Sequence, residues 1–259
     1  MSVTYGSYLK LPQLLDLQKP RSDPPQHDEM LFIVIHQVYE LWFRLLLHEV
    51  ARCMQELAAN DLWGAIARFK RLRTVMKTLV EQLDILETMT PMSFLAFRDR
   101  LASSSGFESA QFRALEFALG HKRREMLVHY KDPAEQAMLE RYLAAPSLLD
   151  HFYTFLAARG VRVPETLRNR DVSQANAASP ELQPELVRLF RESPDVAILL
   201  ELMTDFDEGQ QEWRYRHVKM VERTIGNKPG TGGSSGAEYL RRTLFQAVFP
   251  DLWAIRQQL

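Results

Sequence analysis

Two histidines sit among apolar neighbours, where an imidazole needs a reason. In the window MLFIVIHQVYELWFRLLL, residues 30–47, and leaving Tyr39 and Trp42 aside, the polar side chains are His36, Gln37, Glu40 and Arg44. At about 100° per residue they fall within one arc of roughly 100°, with Phe32 beside His36 on the preceding turn. The rest of the helix is apolar, so the expectation is a central, buried helix whose polar stripe must find partners, since a buried unpaired polar group costs about 1 to 3 kcal/mol. Glu40 and Arg44 can pair at i, i+4. His36 is then left over. The second histidine is His217, in WRYRHVKMVERTIG. There Phe206, Trp213, His217, Met220, Val221 and Thr224 share one helical face, and Arg214, Arg216, Lys219, Glu222 and Arg223 are expected to supply most of the polar surface. Both histidines also have plainer readings: a stripe that faces water, or a core imidazole bonded to a backbone carbonyl.

His217 is followed by GNKPGTGGSSG, which holds five of the eleven glycines of the chain: Gly226, Gly230, Gly232, Gly233 and Gly236. Glycine costs about 1 kcal/mol in a helix interior relative to alanine, so this clustering marks a place where the backbone needs freedom. With Thr231, Ser234 and Ser235 it could bring N–H groups close to an anionic ligand. The segment lacks GK followed by Ser or Thr, does not fit GxGxxG, and follows a helix rather than a strand, which disfavours nucleotide chemistry. Neither HExxH nor paired ExxH occurs, and a single cysteine, Cys53, offers no disulfide framework or cysteine zinc site. His27, Asp28 and Glu29 read as a helix start with acids near the positive dipole end. Two inward histidines, many aromatics and a ligand-cradling loop suit a haem held by one histidine, with the other on its open face.

The elements that must position these groups are helices. Apolar residues recur with a period of 3.6 over Asp28–Leu57, Leu62–Met89, Met92–Leu101, Glu108–Leu119, Pro133–Leu143, Pro146–Ala158, Pro180–Arg191, Pro194–Ile225 and Ala237–Gln258, and no region alternates with period two. The expectation is an all-α chain, a single helical-bundle domain over residues 1–259, with 160–184 as a surface connection. The basic run Arg68, Lys70, Arg71, Arg73 and Lys77 reads as a solvated helix face. A formal charge of −1 over 259 residues argues against a dedicated nucleic-acid binder, and 46% hydrophobic with 25% charged residues is ordinary globular composition. No apolar leader opens the sequence and no run of eighteen uninterrupted apolar residues occurs, so no membrane segment and a cytoplasmic location are expected.

Four segments carry a resemblance. YGSYL (5–9), HDEMLFIVIHQVYELWF (27–43), FRDRLASSSGF (97–107) and WRYRHVKMVERTIGNKPGTGGSSG (213–236) resemble the tryptophan 2,3-dioxygenase family, in family order and over essentially the whole chain. The resemblance implies a haem-dependent dioxygenase that opens the indole C2–C3 bond of L-tryptophan with O2 to give N-formyl-L-kynurenine, the first step of the kynurenine pathway. It implies haem b, ferrous in the active form, with His217 as the axial iron ligand and His36 as the distal histidine near the indole N–H. Phe32 matches an aromatic of the indole pocket, Arg98 the partner of the substrate carboxylate, and Thr231 a contact to the amino acid end. Ser104, Ser105 and Gly106 match the stretch beside the haem. Tyr5 and Tyr8 match tyrosines of an N-terminal arm, residues 1–27, that reaches a neighbour's site in a homotetramer. Phe94 stands where some bacterial members have tyrosine. Two alternatives remain: a superfamily oxygenase inserting one oxygen into a substituted tryptophan or tyrosine in secondary metabolism, and a non-enzymatic helical haem carrier.

Overall fold

The computed structural model describes residues 2–102, 106–226, 228, 230 and 236–259, apart from the side chain of Phe107. All regular structure among the described residues is helical. Two short helices open the chain, α1 (Tyr5–Tyr8) and α2 (Leu11–Leu14). The body follows as α3 (His27–Ala58), α4 (Leu62–Leu86), α5 (Pro91–Arg98), α6 (Ala110–Ala118), α7 (Pro133–Ala144), α8 (Leu148–Ala158) and α9 (Glu165–Arg168). The last four are α10 (Gln183–Glu192), α11 (Pro194–Ile225), α12 (Ala237–Arg241) and α13 (Pro250–Ala254).

Three long helices form the frame: α4 packs along both α3 and α11, while α6 and α8 pack on α3. α4 starts where Asp61 accepts a hydrogen bond from the Gly64 N–H at 2.9 Å, which satisfies one of the free donors of the first turn. Leu62, Ile66, Phe69, Leu72, Met76, Leu79 and Leu83 then recur every three or four residues, and all are buried. Each such side chain contributes about 1.5 to 3 kcal/mol when removed from water, so this face, not helix propensity, holds α4 in place.

The polar stripe on α3 is split rather than buried as a unit. Glu40 accepts from Gln111 Nε2 of α6 at 2.9 Å instead of pairing with Arg44, which is exposed. On another face Met30, Val34 and Leu41 are exposed, so the helix is not central along its whole length. α3 is long and apolar enough to cross a membrane by length and composition. Its packing against α4, α6 and α8 places it as a core helix.

The basic run on α4 is a clasp as much as a solvated face. Arg68 and Arg71 bind the buried Glu49 of α3 at 3.1 and 2.8 Å, and Arg73 pairs with Asp205 of α11 at 3.1 Å. The expected C-terminal helix is also broken. Pro250 has no N–H to continue a helix and Phe245 is in the left-handed region at φ 60°. The Asp207 carboxylate accepts from Phe249 N at 2.9 Å and Trp253 Nε1 at 3.0 Å, replacing the lost helical bonds. That turn carries Phe249 into the core against Phe69. Within 160–184 the regular α-helix is the four-residue α9 and the first two residues of α10. Asn176 pins the segment to the body, donating from Nδ2 to Leu119 O at 3.0 Å and Val248 O at 3.1 Å.

Candidate functional site

A cavity of about 250 Å³ lies between α3, α5, α6 and α11, and Phe32, His36, Arg98, Gly106 and His217 all line it. α5 is started by Thr90, whose hydroxyl accepts from Ser93 N at 3.1 Å, and by Pro91 in its first turn. It runs only as far as Arg98, so the guanidinium stands at the end of a short, capped helix. Phe32, Phe94 and Phe97 meet with ring centroids 5.5 to 5.8 Å apart and form an apolar corner of the cavity.

His36 is oriented from within its own helix. Its Nδ1 lies 2.7 Å from the carbonyl oxygen of Phe32, and its ring packs on the Phe32 ring at 4.1 Å. A carbonyl can only accept, so Nδ1 carries the proton and the neutral ring presents Nε2 as an acceptor. Burial lowers its pKa, against the opposing pulls of the Phe32 carbonyl and Glu40. His217 is oriented by stacking. Its ring lies parallel to Trp213, 5.2 Å between centroids and 3° between planes. Trp213 is in turn wedged against Phe43 and Phe112. Burial, and then the nearby His36, push the His217 pKa down to about 4. Both imidazoles are therefore neutral near pH 7, with a lone pair available to a ligand.

The wall beside His217 holds a charge cluster that the periodicity does not reveal. Arg214, expected on the polar surface, is buried, as are Arg113 and Glu116. Glu116 accepts from Arg113, from Arg123 Nη2 at 2.8 Å and from Arg214 Nη2 at 2.9 Å. Those three cations hold its carboxyl at a pKa of about 2 although burial opposes them. One signal was available: Arg214 precedes His217 by three residues and therefore shares its side of the helix.

Tyr5 and Tyr8 do not line the cavity of their own chain, and both are 76% exposed. Ser104, Ser105 and Thr231 lie outside the described residues. At the ends of the glycine segment, Gly226 and Gly236 both have φ 61°, and a Cβ on Gly236 would stand 2.7 Å from the Lys228 carbonyl oxygen. Glycine is required at these two positions by the backbone itself. Glu29, read as a dipole-end acid, is buried and accepts from Arg21 N at 2.7 Å and Ser22 N at 2.9 Å, tying down the segment that leads into α3.

Comparisons with known proteins agree on one family. The sequence model described as tryptophan 2,3-dioxygenase matches residues 1–151 and 182–259. The chain is 53% identical to a tryptophan 2,3-dioxygenase of Herpetosiphon aurantiacus over 258 residues, covering 100% of this chain and 99% of the relative. It is 50% identical to that of Anaeromyxobacter sp. strain K, with 100% and 97% covered, and 45% identical to that of Caulobacter vibrioides, with 99% and 98% covered.

Proposed function

The chain belongs to the tryptophan 2,3-dioxygenase family, and from that premise we propose that His217 would hold the iron of a haem and that Phe32, His36 and Arg98 would hold L-tryptophan in the same cavity. The reaction is the haem-dependent dioxygenation of L-tryptophan at the indole C2–C3 bond, giving N-formyl-L-kynurenine.

The donor set supports a haem in this cavity. Its lining is mainly apolar, it holds two neutral imidazoles, and its cationic wall includes buried Nε atoms of Arg123 and Arg214 with no hydrogen-bond partner among the described residues. An apolar ring system with acidic side groups and a metal that takes imidazole fits those features. We assign the group as haem b, ferrous in the active form, with Ser104, Ser105 and Gly106 beside it. When bound, the haem supplies the chemistry of O2.

The rest is done by the chain. His36 is fixed by the Phe32 carbonyl, so its Nε2 is suited to accept the indole N–H and hold the ring in register. It acts as a hydrogen-bonding and positioning group. Arg98 offers a planar fork for the substrate carboxylate, and Thr231 contacts the amino acid end. The corner formed by Phe32, Phe94 and Phe97 keeps water from the indole. The His36 tautomer is the observation that carries this reading.

The same proposal makes residues 1–259 one haem-binding domain that assembles as a homotetramer. The arm of residues 1–27 supplies Tyr5 and Tyr8 to a neighbouring site, and their exposure, with that of Met30, Val34 and Leu41 on α3, supports an unfilled interface. A cytoplasmic location is supported by Cys53, a buried free thiol. The test is anaerobic reduction of the haem-loaded protein, addition of L-tryptophan and O2, and mass analysis of the product. A gain of two oxygen atoms is expected. A gain of one, on a substituted tryptophan or tyrosine only, would replace this reading with the one-oxygen alternative, and absence of a Soret band after reconstitution would refute both.

A further inference from the structure

Glu40 lies four residues after His36 and therefore on the same side of α3, and both line the cavity. Its carboxylate is held from a second helix. The Ser109 hydroxyl caps the start of α6 by accepting from Phe112 N at 3.1 Å. In the turn so fixed, Gln111 Nε2 donates to Glu40 Oε2 at 2.9 Å and to Glu40 O at 3.0 Å. The donor is a neutral amide, so the negative charge is kept in place and not cancelled. No ion pair to Glu40 occurs among the described residues, and Arg44, one turn further on, is exposed. The charge is also felt by Glu135 of α7, whose pKa is raised by burial first and then by Asp132, Glu108 and Glu40.

His36 responds to that charge. Burial lowers its pKa, while the Phe32 carbonyl and then Glu40 raise it. Arg98 from α5, Arg113 and Glu116 from α6, Arg123 from the segment after α6, and Arg214 and His217 from α11 line the same cavity, yet none of them is among the influences on His36. Its Nδ1 donates to the Phe32 carbonyl, which leaves Nε2 as the acceptor. An acceptor on the ring N–H and a carboxylate nearby act in the same sense, because both raise the electron-donating power of the free nitrogen. We propose that Glu40 is a positioning residue for the reaction, and that its carboxylate, held by Gln111, strengthens His36 Nε2 as the acceptor of the indole N–H. The inference rests on the assignment of His36 as the indole partner and adds a residue that acts through it. Glu40 is half-buried, so water screens part of its charge and the effect is a few-fold one. The same charge has a cost at low pH: it favours the imidazolium, in which Nε2 is a donor and no longer accepts.

The test is the dissociation constant, measured by calorimetry without O2 on haem-loaded full-length protein, of L-tryptophan and of its benzofuran analogue, in which an oxygen replaces the indole N–H. Unsubstituted protein, Glu40→Gln and Gln111→Leu are compared from about pH 5 to 8. At the upper end, Glu40→Gln should bind L-tryptophan about three- to tenfold more weakly and the benzofuran no more weakly than before, because only the first ligand donates to His36. Its acid limb for L-tryptophan should lie at lower pH than that of the unsubstituted protein, because His36 without the carboxylate takes up a proton less readily. Gln111→Leu, whose Glu40 is charged but unheld, should change the preference between the ligands in the same direction and by less. A structural role would weaken both ligands alike and leave the acid limb in place. Equal weakening of the two ligands, or an acid limb that stays or moves to higher pH, would overturn the proposal. Should Glu40→Gln fail to fold, Gln111→Leu decides: a smaller preference for L-tryptophan supports the inference, and an unchanged or larger one refutes it. Unsubstituted protein that binds the two ligands equally well removes the assignment of His36 and this inference together, whereas a clear preference that Glu40→Gln leaves unaltered refutes the inference alone.

Discussion

His36 is held by a hydrogen bond within its own helix, whereas His217 stands on a wall cross-linked between elements. On the first wall, the Phe32 carbonyl fixes the His36 tautomer and the Phe32 ring packs on the imidazole. On the second, Trp213 stacks on His217, and Glu116 joins α6 to α11 and to the segment after α6 through Arg214 and Arg123. His217 itself makes no hydrogen bond to any described residue. The difference separates two tasks. A group that reads a substrate needs one ring nitrogen committed so that the other has a defined role. A metal ligand needs a neutral ring in a fixed plane with its lone pair uncommitted, and stacking provides this without using a nitrogen.

The largest expected effect separates the two histidines directly. His217→Ala should retain less than about a tenth of the haem of the unsubstituted protein, because the metal bond is lost. His36→Ala should bind haem normally and lose roughly ten- to a hundredfold in kcat/KM, the worth of one or two hydrogen bonds. Haem content by absorbance, with steady-state kinetics, checks both. Equal loss of haem in the two variants would erase the distinction between the walls.

A second effect, on stability, belongs to the cross-linked wall. His121 is buried beside Arg214, Glu116, Arg123 and Gln210, and burial followed by the Arg214 charge lowers its pKa to about 4. In the unfolded chain it titrates near 6.5. Between those values the unfolded state binds the extra proton, so stability is lost as pH falls from about 6.5 towards 4. The shift corresponds to roughly 3 kcal/mol at most. His121→Gln should flatten the acid limb of urea unfolding of the haem-free protein by about that amount and leave the curve unchanged above pH 7. An unaltered acid limb would mean that the cluster opens to water before the protein unfolds.

The first wall was legible in the sequence because its logic is local. Phe32 and His36 are one turn apart, and the helical period alone puts them together. The cross-linked wall was not, because Glu116, Arg123 and Arg214 meet only through tertiary packing, and an arginine in WRYRH looks like ordinary helix surface until a carboxylate on α6 is placed against it. The same limit explains Glu40, whose partner came from α6 rather than from its own helix, and Arg71, whose partner came from α3. The break at Pro250 was visible as a residue type. Asp207, which makes that break affordable, was not, being 43 residues earlier. Helix existence followed the apolar period throughout the body of the chain, whereas buried ion pairs follow no period.

The smallest expected effect tests how self-contained the first wall is. Phe94 is buried against Phe32 and Phe97, four residues before Arg98 and so on the same side of α5. Phe94→Tyr adds a hydroxyl at the edge of an apolar corner. A hydroxyl buried without a partner costs about 1 to 3 kcal/mol, and one that reaches a polar group or bound substrate regains most of that. With Arg98 as the proposed partner of the carboxylate, the two terms should nearly cancel: KM for L-tryptophan should change by less than about threefold, with haem content unchanged. If the variant instead switches substrate, the aromatic corner rather than Arg98 sets recognition, and the first wall must then be treated as cooperative in the way the second is.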